Sequence, residues 1–295
     1  MQLQEQLQGM MEADGLSLNA VSKALGISAS ALSQWLSRSY KGNVERIDEA
    51  VAGYLERQKE RSASPRRELP FVMTSVAEKI HEVLRQCHLE GEMGVVFGQS
   101  GLGKTWACRE YVKRNTDTIM IEVDDRCAKK NLFIRALHRA LGFDGSGRPE
   151  EMLEGIVSKL SGSGRCLIVD EAEKLPYKTL EAIRRLWDFT GIGIVLVGMP
   201  QLVANLRGKK GEYMQLYSRI FIPCQLESLQ PEDGRLLTEL LLPGANGISR
   251  VFWEESNGNT RVLTKLALRT ARVAEINGKA VTAALIKTVR KAMIV

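Results

Sequence analysis

From Phe71 onward, short apolar runs recur between helix-length segments whose apolar positions return every three or four residues. The spacing predicts helix 75–88 before GVVF at 94–97, helix 104–114 before TIMIEV at 118–123, and helices 129–141 and 149–160 before CLIVD at 166–170. A helix at 178–188 then leads to GIVLVG at 193–198. Continuous apolar runs mark strands buried on both faces, and helix-length crossovers make neighbouring strands parallel. The pattern therefore predicts an α/β doubly wound fold with a mostly parallel sheet. After this core, at 71–228, residues 229–295 keep the helical period without comparable strands and are expected to form a helical lid.

The first 60 residues carry helical periods only. Residues 1–13 suit one helix, Ser17 a cap for 18–25, and Ser28 a cap for a helix through Arg38, with an amphipathic segment at 45–61. Val21, Leu25, Ile27, Leu32 and Trp35 or Leu36 fall on one face around a turn at Gly26. This is the pattern of a small all-α helix-turn-helix domain. Residues 61–70, with Pro65 and Pro70, are expected to be a linker.

A length of 295 residues accommodates these two units, and 44% hydrophobic with 26% charged residues excludes a disordered or fibrous chain. The net charge of +6 is mild. It is compatible with an anionic partner without identifying one. Cys87, Cys108, Cys127, Cys166 and Cys224 are widely spaced without a CxxC pair, and His81, His88 and His138 form no ligand constellation. That argues against a zinc module and a disulfide scaffold, with Cys108, Cys127 and Cys166 expected as small buried residues. The polar N-terminus and the absence of a membrane-length apolar run lead to the expectation of a cytoplasmic protein.

GQSGLGKT at 98–105 lies between an expected strand and an expected helix. It comprises Gly98, Gln99, Ser100, Gly101, Leu102, Gly103, Lys104 and Thr105, the spacing of a phosphate loop rather than of an ordinary glycine-rich turn. Glycines allow the backbone to approach phosphates, and the helix start offers unpaired N–H groups. Lys104 is expected on the β and γ phosphates of ATP, and Thr105 on Mg²⁺. The strand in RCLIVDEAEKL delivers Asp170 for the metal shell and Glu171 for water activation, while Glu173 suits a cap for the next helix. The following strand ends in VGMP, so Met199 brings no polar group. Arg219 in YMQLYSRI is either a surface arginine or a contributor to a neighbouring subunit's site; Arg261 in SNGNTRVL is either a surface ion-pair partner or a lid residue reaching the nucleotide.

Ser30, Ser33, Gln34 and Arg38 are candidate DNA contacts on or just beyond the second helix of the small domain, with Lys23 and Lys41 as phosphate-positioning candidates. In the core, Lys129 and Lys130, and Arg207, Lys209 and Lys210, are candidates for tracking a duplex backbone, or else solubilising charges. Trp187 and Trp253 are expected in core or interface positions.

The order of helix-turn-helix, linker, GxSGxGKT, IVDEAE, VLVG and YSR…GNTR resembles the Mu-type transposition B family, AAA+ ATPases that act as transposition target selectors. The resemblance covers almost the whole chain, including SYKGNVERIDEAVAGYLER at 39–57. It implies an AAA+ ATPase with a helical lid that binds double-stranded DNA largely without sequence preference. It also implies a homo-oligomeric helical filament that captures target DNA for a cognate DDE-type transposase. The transposase would stimulate hydrolysis and filament disassembly, the basis of target immunity. Lys104 and Thr105 would be the Walker A pair, Asp170 and Glu171 the Walker B pair, Arg219 the arginine finger and Arg261 the second sensor. Met199 departs from the polar residue usual at the first-sensor position, which implies slow hydrolysis. A helicase-loading ATPase and a nucleotide-controlled transcriptional regulator are the alternatives.

Overall fold

The computed structural model describes residues 2–63, 70–208 and 213–294. Contacts divide the chain between Leu69 and Pro70 into two units.

In the first unit α1 (Leu3–Ala13), α2 (Leu18–Leu25), α3 (Ala29–Leu36) and α4 (Val44–Ala63) are all amphipathic. The Ser17 hydroxyl accepts the Ala20 N–H and the Ser28 hydroxyl the Ala31 N–H, each at 3.2 Å, which fixes where α2 and α3 begin. Their apolar faces close over Leu7, Val21, Leu32, Trp35, Ile47 and Val51, with Leu25, Ile27 and Leu36 at the margin. Trp35 Nε1 donates to Asp48 at 2.8 Å and ties α3 to α4. α3 stops at Leu36 rather than Arg38, and Arg38 has a φ of 58° beyond it. α4 runs three residues, 61–63, into the segment expected as linker, while residues 64–69 lie outside the described residues.

The second unit alternates as its hydrophobic pattern dictates. In order come α5 (Ser75–Glu90), β1 (Met93–Phe97), α6 (Lys104–Arg114), β2 (Thr118–Glu122), α7 (Lys130–Ala140), α8 (Pro149–Leu160) and β3 (Cys166–Asp170). They are followed by α9 (Tyr177–Thr190), β4 (Gly193–Gly198), α10 (Gln201–Arg207), α11 (Met214–Tyr217) and β5 (Ile220–Gln225). The strands form one parallel sheet in the order β2-β3-β4-β1-β5. β3 and β4 are buried along their whole length, as strands covered by helices on both faces must be.

β5 is an addition to the expected strands. Its IFIPCQ sequence alternates between half-buried and exposed, and among the described residues it pairs only with β1. Pro223 lacks an N–H, which an edge strand tolerates and an interior strand does not. Cys108 and Cys166 are buried, whereas Cys127 is only partly so, its sulfur accepting the Asp124 N–H at 3.3 Å.

The chain ends in α12 (Pro231–Leu241), α13 (Ser249–Ser256), α14 (Thr260–Ile276) and α15 (Ala283–Lys291). The buried Asp233 joins this helical layer to the core, accepting the Ser75 N–H at 2.7 Å and the Ser75 hydroxyl at 2.6 Å. Trp253 Nε1 donates to Leu229 O and Trp187 Nε1 to Gly91 O, so both indoles are structural anchors.

Candidate nucleotide site

The loop 98–103 leaves the C-terminal end of β1 and turns directly into α6, whose N-cap is Gly103. β4 lies between β1 and β3, so the loop, the end of β4 and the end of β3 share one edge of the sheet. That edge, where strands point toward helix N-termini, is the binding crevice of open α/β sheets.

Asp170 ends β3 at 2% exposure. Its Oδ2 accepts the Thr105 hydroxyl at 2.5 Å and its Oδ1 the Glu171 N–H at 2.9 Å. Burial pushes the carboxyl above the ordinary aspartate range, and these two hydrogen bonds only partly oppose that. Lys104 Nζ donates to the carbonyls of Gly98 and Gln99, each at 2.8 Å. Burial lowers its pKa, opposed chiefly by the carboxylates of Asp170 and Glu173, while the nearby Arg261 charge adds to the lowering.

Glu171 adopts a φ of 56° at the start of the 3-10 turn Ala172–Lys174, and its carboxylate bonds the Lys174 ammonium, both groups being about half exposed. Glu173 does not cap α9; that N-cap is Pro176, without a side-chain bond. Instead Glu173 Oε2 accepts the Met199 N–H at 3.2 Å, and Asn205 Nδ2 donates to the Glu173 carbonyl at 2.8 Å. A Cβ on Gly198 would stand 2.3 Å from that Oε2, so the approach of this carboxylate to the end of β4 depends on glycine.

A hydroxyl and a carboxylate at 2.5 Å suit a hard cation that keeps most of its shell as water and phosphate oxygen. No cluster of three His, Cys, Asp or Glu ligands occurs among the described residues. The donor set therefore fits Mg²⁺ held jointly with a nucleotide, with Thr105 and Asp170 as its protein side.

The two candidate arginines differ in placement. Arg261 opens α14, and its own N–H donates to the Gly101 carbonyl at 3.2 Å, so this residue meets the phosphate loop. Asn259, two residues before it, donates from Nδ2 to Ser100 O at 2.9 Å. Arg219 instead precedes β5 and pairs with Asp188 at 3.6 Å. The register of β1 with β5 aligns Met93 with Ile220 and Phe97 with Gln225. Arg219 therefore stands at the opposite sheet edge from Gly98, roughly 15–20 Å away at strand rise.

Ser30, Ser33, Gln34 and Arg38 are exposed on or after α3, Lys23 and Lys41 are exposed elsewhere in the same unit, and Lys129 and Lys130 are exposed at the start of α7. Arg207 is not a free charge: its guanidinium stacks on Tyr217 at 4.7 Å and donates to the phenol at 2.7 Å. Lys209 and Lys210 lie outside the described residues. Sequence reasoning missed Asn259 and the β4 contact of Glu173. The only signal for Asn259 was a capping residue before a helical run in SNGNTR.

The parallel sheet, the phosphate loop after its first strand and the Thr105–Asp170 pair define a P-loop ATPase of the AAA+ class. Residues 88–206 match the AAA domain family. The chain belongs to the family of Mu-type transposition B proteins. It is 30% identical over 237 residues to the ATP-dependent target DNA activator B of Escherichia phage Mu, covering 79% of this chain and 75% of that one. It is 26% identical over 223 residues to the Mu-like prophage FluMu DNA transposition protein B of Haemophilus influenzae, covering 74% and 78%. Two solved structures share the fold. The Aeropyrum pernix ORC2 protein has a TM-score of 0.58 at 17% identity, covering 76% of this chain and 68% of that chain. Domain III of the Thermotoga maritima replication initiation protein DnaA has a TM-score of 0.51 at 18% identity, covering 76% and 95%. Among the described residues, no helix is long and apolar enough to cross a membrane.

Proposed function

We propose that this chain is an ATP-dependent target DNA activator for transposition. It binds double-stranded DNA with little sequence preference, assembles into helical filaments in the presence of ATP and Mg²⁺, and hands captured target DNA to a cognate DDE-type transposase. Hydrolysis then releases the filament, which gives the system its target immunity. The observation that carries this reading is the joined Thr105 and Asp170 beside Lys104, in a chain of the same family as the phage Mu activator.

In this mechanism Lys104 exchanges its two carbonyl partners for phosphate oxygens, and Thr105 and Asp170 would hold Mg²⁺. The ion would supply neutralisation of the developing phosphate charge. Glu171 orients water once it leaves Lys174, and Arg261 approaches the phosphates from its place on the loop. Arg219 lies too far from its own loop and serves the adjoining copy's nucleotide. Such a division makes turnover depend on assembly. Met199 offers no side-chain polar group, which keeps hydrolysis slow until the transposase acts.

For the DNA track, the exposed Lys129 and Lys130 occupy the N-cap and first turn of α7, where the helix dipole repels cations. A phosphate resolves that conflict by meeting both the ammonium groups and the helix start. With Lys209 and Lys210 they form the proposed nonspecific track; Arg207, held by Tyr217, contributes less. Residues 1–60, through Ser30, Ser33, Gln34 and Arg38, add affinity or regulate assembly.

The test is binding of the full chain to two unrelated duplexes with and without ATP and Mg²⁺, with electron microscopy of the products. Equal ATP-dependent affinities and filaments support the reading. Binding of one palindrome alone points to a regulator instead.

A further inference from the structure

α14 begins against the phosphate loop. Its N-cap, Asn259, accepts the Val262 N–H through Oδ1 at 3.1 Å while Nδ2 donates to the Ser100 carbonyl at 2.9 Å. One orientation of the amide satisfies both contacts, because Val262 presents a donor and Ser100 an acceptor. The Arg261 N–H holds the next carbonyl, that of Gly101.

In a trans peptide the carbonyl and the following N–H point to opposite sides. No peptide among the described residues is cis. Fixing the Ser100 and Gly101 carbonyls toward α14 therefore turns the N–H groups of Gly101 and Leu102 away from it. Neither of those amides donates to a backbone carbonyl among the described residues. Gly101 has a φ of +85°, and a Cβ there would lie 2.3 Å from Asn259 Oδ1, so the lid helix and loop meet this closely only across glycine.

We propose that Asn259 is a positioning residue for phosphate binding: its side-chain amide sets the direction of the phosphate loop's N–H groups and thereby couples the lid helix to the nucleotide. The inference rests on the nucleotide-site reading above. Coupling of this kind is reciprocal, so a nucleotide that needs those amides also steadies the start of α14.

Two substitutions separate this role from helix capping. Asn259→Asp keeps an oxygen for Val262 but has no proton for Ser100 at neutral pH. Asn259→Ser is a neutral cap too short to span to the loop. Asn, Asp and Ser are comparable N-caps, so the nucleotide-free full-length chain should melt at nearly the parental temperature in both variants. The Kd for ADP, and for ATP with Mg²⁺, should rise about tenfold in both, the loss of roughly one hydrogen bond. In the parental chain ADP should also slow hydrogen exchange at the Arg261 amide, and this slowing should vanish in both variants. Parental affinity in the two variants overturns the proposal, as does weakening by Asp alone, which is a charge effect, or weakening matched by a fall in nucleotide-free melting temperature, which is a capping effect. Failure of the parental chain itself to bind nucleotide refutes the nucleotide site, a separate and recognisable outcome.

Discussion

The Thr105 hydroxyl and the Asp170 carboxylate meet at 2.5 Å across 65 residues of sequence, joining the first turn of α6 to the end of β3. Burial holds the Asp170 carboxyl above the ordinary aspartate range, and the contact with Thr105 only partly opposes this.

That imbalance gives a pH-dependent prediction. A carboxyl whose folded pKa is raised favours the folded state at pH values below its unfolded pKa, near 3.9, and loses this contribution as pH rises through the folded pKa. Asp170→Asn should therefore raise the melting temperature of the nucleotide-free protein at pH 7, with the difference from the parental chain closing toward pH 3.5. The same variant should lose magnesium-dependent ATP binding. A lower melting temperature at pH 7 would mean that the two hydrogen bonds outweigh desolvation.

Glu171→Gln should retain ATP binding while turnover falls about 100-fold or more, since the amide cannot take a proton from water. DNA-bound filaments should outlast an ATP chase. Turnover at the parental rate in a single-turnover assay would assign water activation to another residue.

Arg219→Ala should bind ATP normally and lose about 10³-fold in DNA-stimulated turnover. Mixing it with Lys104→Ala makes the test sharper. One variant keeps the phosphate loop and the other the arginine, so mixed assemblies should regain activity that neither has alone. Absence of recovery in demonstrably mixed assemblies removes Arg219 from a shared site.

Gly198→Ala places a methyl group where Glu173 Oε2 now lies, at 2.3 Å. The far end of the Glu173 side chain can swing aside, so the cost by chemical denaturation should be about 1 kcal/mol, that of the lost bond from the Met199 N–H. Adding Glu173→Ala should then cost little more, because that bond is already gone. A neutral effect of the single change would show that the carboxylate relocates freely.

Neutralising Lys129, Lys130, Lys209 and Lys210 together should weaken binding to unrelated duplexes alike and flatten its salt dependence by up to about 0.9 per lost phosphate contact. Deleting residues 1–60 should change affinity or cooperativity and leave ATP-dependent binding measurable. Complete loss on deletion, with a parental salt slope in the four-lysine variant, moves the track to the helical unit.

Much of this was legible because the chemistry is local or periodic. The phosphate loop needs particular residues at fixed spacing, and β3 and β4 are unbroken apolar runs because both faces are covered. β5 is not legible in the sequence because an edge strand satisfies weaker rules: half its residues face outward, and Pro223 resembles a strand breaker. The contact of Glu173 is hidden for a different reason. An acid ahead of a helix is a reasonable cap, but the turn at Ala172–Lys174 swings its side chain toward Met199, a contact set by the adjacency of β3 and β4. Asn259 meets Ser100 across 159 residues, beyond any local pattern.

The placement of Arg219 and the phosphate loop at opposite edges of one sheet has a directional consequence. If each copy lends its arginine to the next, the contact is head-to-tail and the two tips of an assembly are unlike. At one tip a subunit holds nucleotide with no incoming arginine; at the other, an arginine projects with no phosphate to meet. In such an assembly the first tip would be hydrolytically silent and act as a durable cap, while every interior subunit would be primed. Loss of subunits would then run with a fixed polarity along the DNA, independent of the sequence beneath.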